Sequence, residues 1–196
     1  MNIEFVIPCY ERIELLNCVI WSIIGQTNKN WKIHVVIDRK DYDLEIHLLE
    51  KYKPYWLSGH FKVTTTGQRY NDFGHTPRNI GLLNSDSDWV VMTGEDNYYT
   101  PIFVEEFLRV ASDETGFIYC NMVHNWKNNE YIPIPCDVNN GMVDIGCFAV
   151  KPSLLQGLKL DIDKKECADF YFAKEYLNLN KGKIITHINK ILYIHN

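Results

Sequence analysis

Two carboxylates and a carboxamide stand together in Gly94-Glu95-Asp96-Asn97. The residues before them, Trp89-Val90-Val91-Met92, form a short apolar run with β-branched residues at its middle. That composition predicts a buried strand. The acids therefore fall at the carboxyl end of a core strand, the edge where open α/β sheets bind their ligands. Hard oxygen donors at that edge suit Mg²⁺ or Mn²⁺ shared with a diphosphate. Asp, Asn and Gly are also common turn formers, so a plain turn and a metal site are both open on these residues alone. Arg78 raises a related question. Thr76-Pro77 reads as a helix start, and a cation gains nothing from the dipole there. Either an anion lies nearby, a diphosphate or the acids at 95 and 96, or Arg78 is a solvated surface residue.

The elements that must place these residues follow from apolar spacing. Residues 3–7 read as a first strand, stopped by Pro8-Cys9-Tyr10. Leu16, Val19, Ile20, Ile23 and Ile24 then share one helical face. Residues 31–37 read as a second strand closing on Asp38, and residues 61–66 as a third. A helix over 41–52 lies between them, with Pro54 expected to bar its continuation. A polar loop, 67–75, leads to the helix ending near Leu83. Thr100-Pro101 reads as cap and first position of a helix running to Ala111, with Val104, Phe107, Leu108 and Ala111 inward. Strand and helix thus alternate through the first half, the pattern of a mainly parallel sheet with right-handed crossovers.

The second half is less regular. A strand is expected over 116–120, a hairpin over 122–134 turning at Asn128-Asn129, and a strand over 147–150. A short helix starts at Lys151-Pro152-Ser153, a clearer one covers 166–177, and 184–194 is extended. No repeat or linker interrupts the chain. One domain over residues 1–196 is expected, divided into a nucleotide-binding half of about 1–112 and an acceptor and catalytic half of about 113–196.

Bulk composition narrows the function classes. The 196 residues are 46% hydrophobic and 23% charged, ordinary for a folded domain with a sizeable core. A net charge of −5 without a long basic run argues against nucleic acid or an anionic membrane as the main partner. No apolar run is long enough to span a bilayer, and a strand-like start argues against a signal peptide. The six cysteines include no Cys-x-x-Cys pair, so free thiols in a reducing cytoplasm are expected rather than a zinc site or disulfides. A dinucleotide-binding site lacks its Gly-x-Gly-x-x-Gly, and a nucleotidyltransferase would want a glycine-rich phosphate loop where Pro8-Cys9-Tyr10-Glu11 stands.

Several separated motifs together resemble the GT-A-fold glycosyltransferases of family 2. They are Phe5-Val6-Ile7-Pro8-Cys9-Tyr10-Glu11-Arg12, then Ser22-Ile23-Ile24-Gly25-Gln26-Thr27, Asp38, Pro77-Arg78-Asn79-Ile80-Gly81, and Gly94-Glu95-Asp96-Asn97 with Pro101. Val143-Asp144-Ile145-Gly146-Cys147-Phe148 resembles the acceptor-side loop and strand, and Ala168-Asp169-Phe170 the segment carrying the general base. One departure stands out: Gly94 takes the place of the first acid of the family's Asp-x-Asp signature, and Asp96 alone matches the second.

The resemblance implies a soluble, inverting transferase that takes a sugar from a nucleotide-diphosphate donor, first of all a UDP-sugar, to a glycan hydroxyl with Mn²⁺ or Mg²⁺. A longer multidomain enzyme could contain this chain. Pro8, Tyr10 and Asp38 would frame the base and ribose, Arg78 and Glu95 would lie at the donor, and Asp96 would hold the cation. A late histidine, His195 or His187, would assist it. Asp169 would take the acceptor's proton, with Glu166 its rival, and Asp144 would meet sugar hydroxyls. Trp126, Tyr131, Tyr98 and Tyr99 offer ring platforms. Each residue also has a plain reading: Tyr10 as a cover on the core edge, Asp38 and Asp144 as turn acids, Asp169 as an ordinary helix-start residue, the histidines as strand residues, the aromatics as packing. A catalytically silent binding module on the same scaffold is the principal alternative.

Overall fold

The run Ile3–Cys9 forms β1, buried along its whole length, as its position in the middle of a sheet demands. The structure is a computed structural model describing residues 1–125, 130–163 and 167–196. After β1 come α1 (Ile13–Ile24), β2 (Trp31–Ile37), α2 (Tyr42–Lys51), α3 (Lys53–Leu57), β3 (Phe61–Thr65), α4 (His75–Leu83) and β4 (Trp89–Met92). Strands β3, β2, β1 and β4 lie side by side in that order, all parallel, with Phe5 between Ile33 and Val91. Their carboxyl ends therefore share one edge. From that edge emerge Tyr10, Asp38 and residues 94–97.

Glu4 is an acid fully buried in this core. It is tolerated because Lys62 Nζ pairs with it at 2.8 Å and the Ser85 hydroxyl donates to it. Helix α4 lies against β1 through Gly81: a Cβ there would fall 2.2 Å from a Val6 methyl. The glycine lets the helix sit close enough to bring its amino end, and Arg78, to the ligand edge.

The remaining elements are β5 (Tyr98–Tyr99), α5 (Phe103–Val110), β6 (Thr115–Asn125), β7 (Tyr131–Ile134), β8 (Phe148–Val150), α6 (Ala168–Leu179) and β9 (Ile184–His195). β8 joins the parallel half to the rest by antiparallel pairing with β4 and β6. β6 runs parallel to β9, with irregular register, and β9 pairs antiparallel with β5. The last pairing sets Tyr99 opposite Tyr193 and carries His195 to the strand edge beside residues 94–97.

As expected, α2 stops at Lys51, before Pro54, which sits in the first turn of the separate α3, where its missing N–H costs nothing. Two local expectations are corrected. Thr100-Pro101 does not start a helix: α5 begins at Phe103, and Tyr98–Tyr99 is a strand. The reason is Gln26, whose amide donates to the Thr100 carbonyl at 2.7 Å and accepts from the Val104 N–H at 3.0 Å. A side chain 74 residues earlier fixes the helix start instead of the local cap. Leu108 and Ala111 are only partly buried, whereas Phe103 and Glu106 are buried. The β6–β7 hairpin pairs as expected, Met122 opposite Ile134; its turn at 128–129, with Trp126, lies outside the described residues, as does Glu166. Among the described residues, no helix is long and apolar enough to cross a membrane, and the six cysteines are all free.

Candidate active site

Two adjoining cavities open at the carboxyl edge of the parallel strands. The larger, about 500 Å³, is lined by Pro8, Tyr10, Arg12, Asp38, Arg69, Arg78, Glu95 and Asp96. The smaller, about 350 Å³, is lined by Arg78, Asp96, Asn97, Asp144, Asp169 and His195 among others. Phe73, Arg78, Gly94 and Asp96 belong to both, so they form the partition between them.

In the larger cavity every acid has a partner. Arg12 donates from Nε to Glu95 Oε1 at 2.7 Å and from Nη1 to Asp96 Oδ2 at 2.6 Å. The second oxygen of Glu95 accepts from the Tyr10 N–H at 3.2 Å. Asp38 receives the N–H groups of Tyr70 at 3.0 Å and Asn71 at 3.3 Å. It thereby ties the 67–74 loop over β2. On that loop Arg69 lies 3.6 Å above the centre of the Tyr10 ring. Arg78 donates to the carbonyls of Thr93 at 3.0 Å and Phe73 at 2.8 Å. These bonds aim its guanidinium at the partition without consuming its charge.

Gly94 has a steric reason to be glycine. A Cβ there would fall 2.7 Å from Asp96 Oδ1 and 2.9 Å from the Asn97 amide nitrogen. The space that a first acid would fill is taken by the Asp96 carboxylate itself.

The two carboxylates that line the smaller cavity alone, Asp144 and Asp169, accept from uncharged donors. Asp144 accepts from the Tyr193 hydroxyl at 2.6 Å and from the Gly146 N–H at 2.9 Å. Asp169, in the first turn of α6, accepts from the Ile145 N–H at 3.1 Å. Burial, with the charge of Asp144 next, pushes the Asp169 carboxyl up to about 6, against the pull of Arg78, the Ile145 bond and His195. His195 Nε2 lies 3.8 Å from Asp144 Oδ2.

Among the described residues no three His, Cys, Asp or Glu side chains form a metal cage. A smaller donor set is present. Asp96 and His195 face the same cavity, and the buried Nδ1 of His195 has no hydrogen-bond partner among the described residues. Carboxylate and imidazole, completed by diphosphate oxygens, suit Mg²⁺ or Mn²⁺. His187 instead bonds the Asn121 carboxamide at 2.8 Å and stacks on Tyr119, the plain strand role. Tyr99 is core, packed on Phe5 and Phe103.

Residues 4–167 match the sequence profile of glycosyl transferase family 2. The chain belongs to that family. The match stops two residues short of Asp169. An uncharacterized glycosyltransferase of Haemophilus influenzae is 26% identical over 128 residues, 62% of this chain and 40% of that protein. Among solved structures, S. aureus TarS 1-349 superposes with a TM-score of 0.80 at 18% identity, covering 100% of this chain and 60% of TarS 1-349. Its complex with UDP-GlcNAc gives 0.78 at 17% identity, covering 99% and 58%. The mannosyltransferase PcManGT of Pyrobaculum calidifontis, solved with GDP-Man and Mn²⁺, gives 0.70 at 13%, covering 99% and 56%. These likenesses establish the GT-A fold. The chain spans well under two thirds of each relative.

The site residues read from the family 2 motifs all reach one of the two cavities. Arg12 and Tyr193 lie in stretches the sequence marks but carry no role of their own there, and Arg69 is one residue of the polar loop. Arg12 stands two positions after Tyr10, and a cation leaving the first strand toward an acidic strand end was the available signal. Nothing local marks Arg69 or Tyr193 for the site: the Tyr10 ring under Arg69 and the Asp144 carboxylate bonded by Tyr193 are both distant in sequence.

Proposed function

We propose that this family 2 chain is the catalytic domain of an inverting glycosyltransferase, moving a sugar from a nucleotide-diphosphate donor, a UDP-sugar first, to a glycan hydroxyl. One observation carries the reading: Asp96 and Asp169 line the same cavity, next to a cleft large enough for a nucleotide. Residues 1–112 would supply the donor side and 113–196 the acceptor side, within a longer enzyme of the reducing cytoplasm.

Pro8, Tyr10 and Asp38 frame the base and ribose, with Arg69 lifting from or stacking beside the base. Arg78 faces the diphosphate. Glu95, with both oxygens engaged, acts on the donor through Tyr10 and Arg12. Asp96 and His195 would hold Mn²⁺ or Mg²⁺, which when bound screens the diphosphate and eases its departure. The sugar then occupies the smaller cavity, where Asp144 Oδ2 meets its hydroxyls. The acceptor oxygen attacks the anomeric carbon from the side away from the diphosphate. The carbon–oxygen bond to phosphate breaks, the nucleoside diphosphate leaves, and Asp169 keeps the acceptor's proton. A single displacement inverts the anomeric centre. A carboxyl titrating near 6 is ionised at neutral pH yet basic enough for this task.

A panel of UDP-, GDP- and dTDP-sugars, assayed for Mn²⁺-stimulated hydrolysis, tests the proposal without a known acceptor. Hydrolysis of one nucleotide class, UDP first, is expected. Nucleotide binding without turnover on any donor would mark a silent binding module, and no nucleotide binding at all would overturn the reading.

A further inference from the structure

We propose that Arg12 sets the cation dependence of the donor site: its guanidinium is a built-in counter-cation that a divalent ion must displace from Asp96. The inference rests on the reading of Asp96 as a donor-site ligand. Its basis is the two short bonds from one guanidinium, to Glu95 at 2.7 Å and Asp96 at 2.6 Å. Charge-assisted bonds of that length are strong, and a carboxylate oxygen so engaged is a poorer metal ligand.

Three further features support the clamp. Gly94 removes the third acid, so Glu95 and Asp96 together carry −2, of which Arg12 cancels one charge. The other arginines at the cleft are engaged elsewhere: Arg69 on Tyr10 and Asn71, Arg78 on the Thr93 and Phe73 carbonyls. The Arg12 side chain is 56% exposed while Glu95 is 8% exposed, so the cation can swing away and the acid cannot.

A bare divalent ion must compete with Arg12 for the Asp96 carboxylate, with nothing offered to Arg12 in return. A nucleoside diphosphate arriving with the ion gives Arg12 a new anion in the same cleft, since Arg12 lines it. Ion and nucleotide should therefore bind cooperatively, and Arg12 is the coupling element.

The experiment measures free Mn²⁺ by electron paramagnetic resonance during titration of wild type, Arg12→Gln and Arg12→Lys, with and without UDP. Without UDP, Arg12→Gln is expected to bind Mn²⁺ about tenfold tighter than wild type. The gain in Mn²⁺ affinity on adding UDP should shrink in that variant, with Arg12→Lys between the two. Thermal melting checks that the variants fold. Equal or weaker Mn²⁺ binding by folded Arg12→Gln, with wild type still binding Mn²⁺ and UDP together, overturns the clamp alone. If no protein binds Mn²⁺ even with UDP, the cation role of Asp96 falls, and the clamp with it.

Discussion

The acids of the two cavities are held in opposite ways. In the donor cleft Glu95 and Asp96 share the Arg12 guanidinium, and Asp38 binds two backbone N–H groups. In the smaller cavity Asp144 and Asp169 have backbone, hydroxyl and histidine neighbours, and Asp144 raises the cost of ionising Asp169. Neutralised acids hold a shape and a charge balance, which suits binding. An under-neutralised carboxyl with a raised pKa suits proton transfer. Under the proposed function, donor recognition and proton removal would be separated by the partition that Arg78 and Asp96 form.

Replacing Asp169 by Asn should break the comparison most severely. Turnover is expected to fall on the order of 10²–10⁴-fold, while UDP affinity by calorimetry changes about twofold at most. Equal losses in both would place Asp169 in the donor site instead. Asp96→Asn should do the reverse: Mn²⁺-dependent UDP binding weakens roughly 10–100-fold, and UDP binding without Mn²⁺ changes little.

The pH profile gives the smallest and sharpest effect. A base works only when ionised, so if Asp169 fills that role its carboxyl, raised to about 6, should make turnover rise with pH through about 6 and level off above it. Asp144 is a negative neighbour that raises this value. Asp144→Asn should therefore move the inflection downward, by about half to one unit. An inflection that stays in place, or moves up, contradicts the pairing of these carboxyls.

The donor cleft was the more legible half because its residues follow strands in sequence. The strands β1, β2 and β4 end at Cys9, Ile37 and Met92, close to where their apolar runs end in sequence, and parallel pairing puts those ends on one edge. What stayed hidden was long-range. The α5 start is set by Gln26 against the local Thr-Pro signal, and β5 is two residues whose strand character comes from β9. His195 reaches the site through the same pairing, across a separation near 100 residues. Only the family resemblance pointed to it. Asp169 is likewise indistinguishable by local sequence from any acid opening a helix; its place in one cavity with Asp96 is a property of the assembled fold.

The division of labour is tested most directly by a crystal structure of Asp169→Asn with an intact UDP-sugar and Mn²⁺. The diphosphate is expected beside Asp96 and Arg78, with the anomeric carbon turned toward residue 169. A nucleotide seated elsewhere, or a sugar facing away from residue 169, would contradict it.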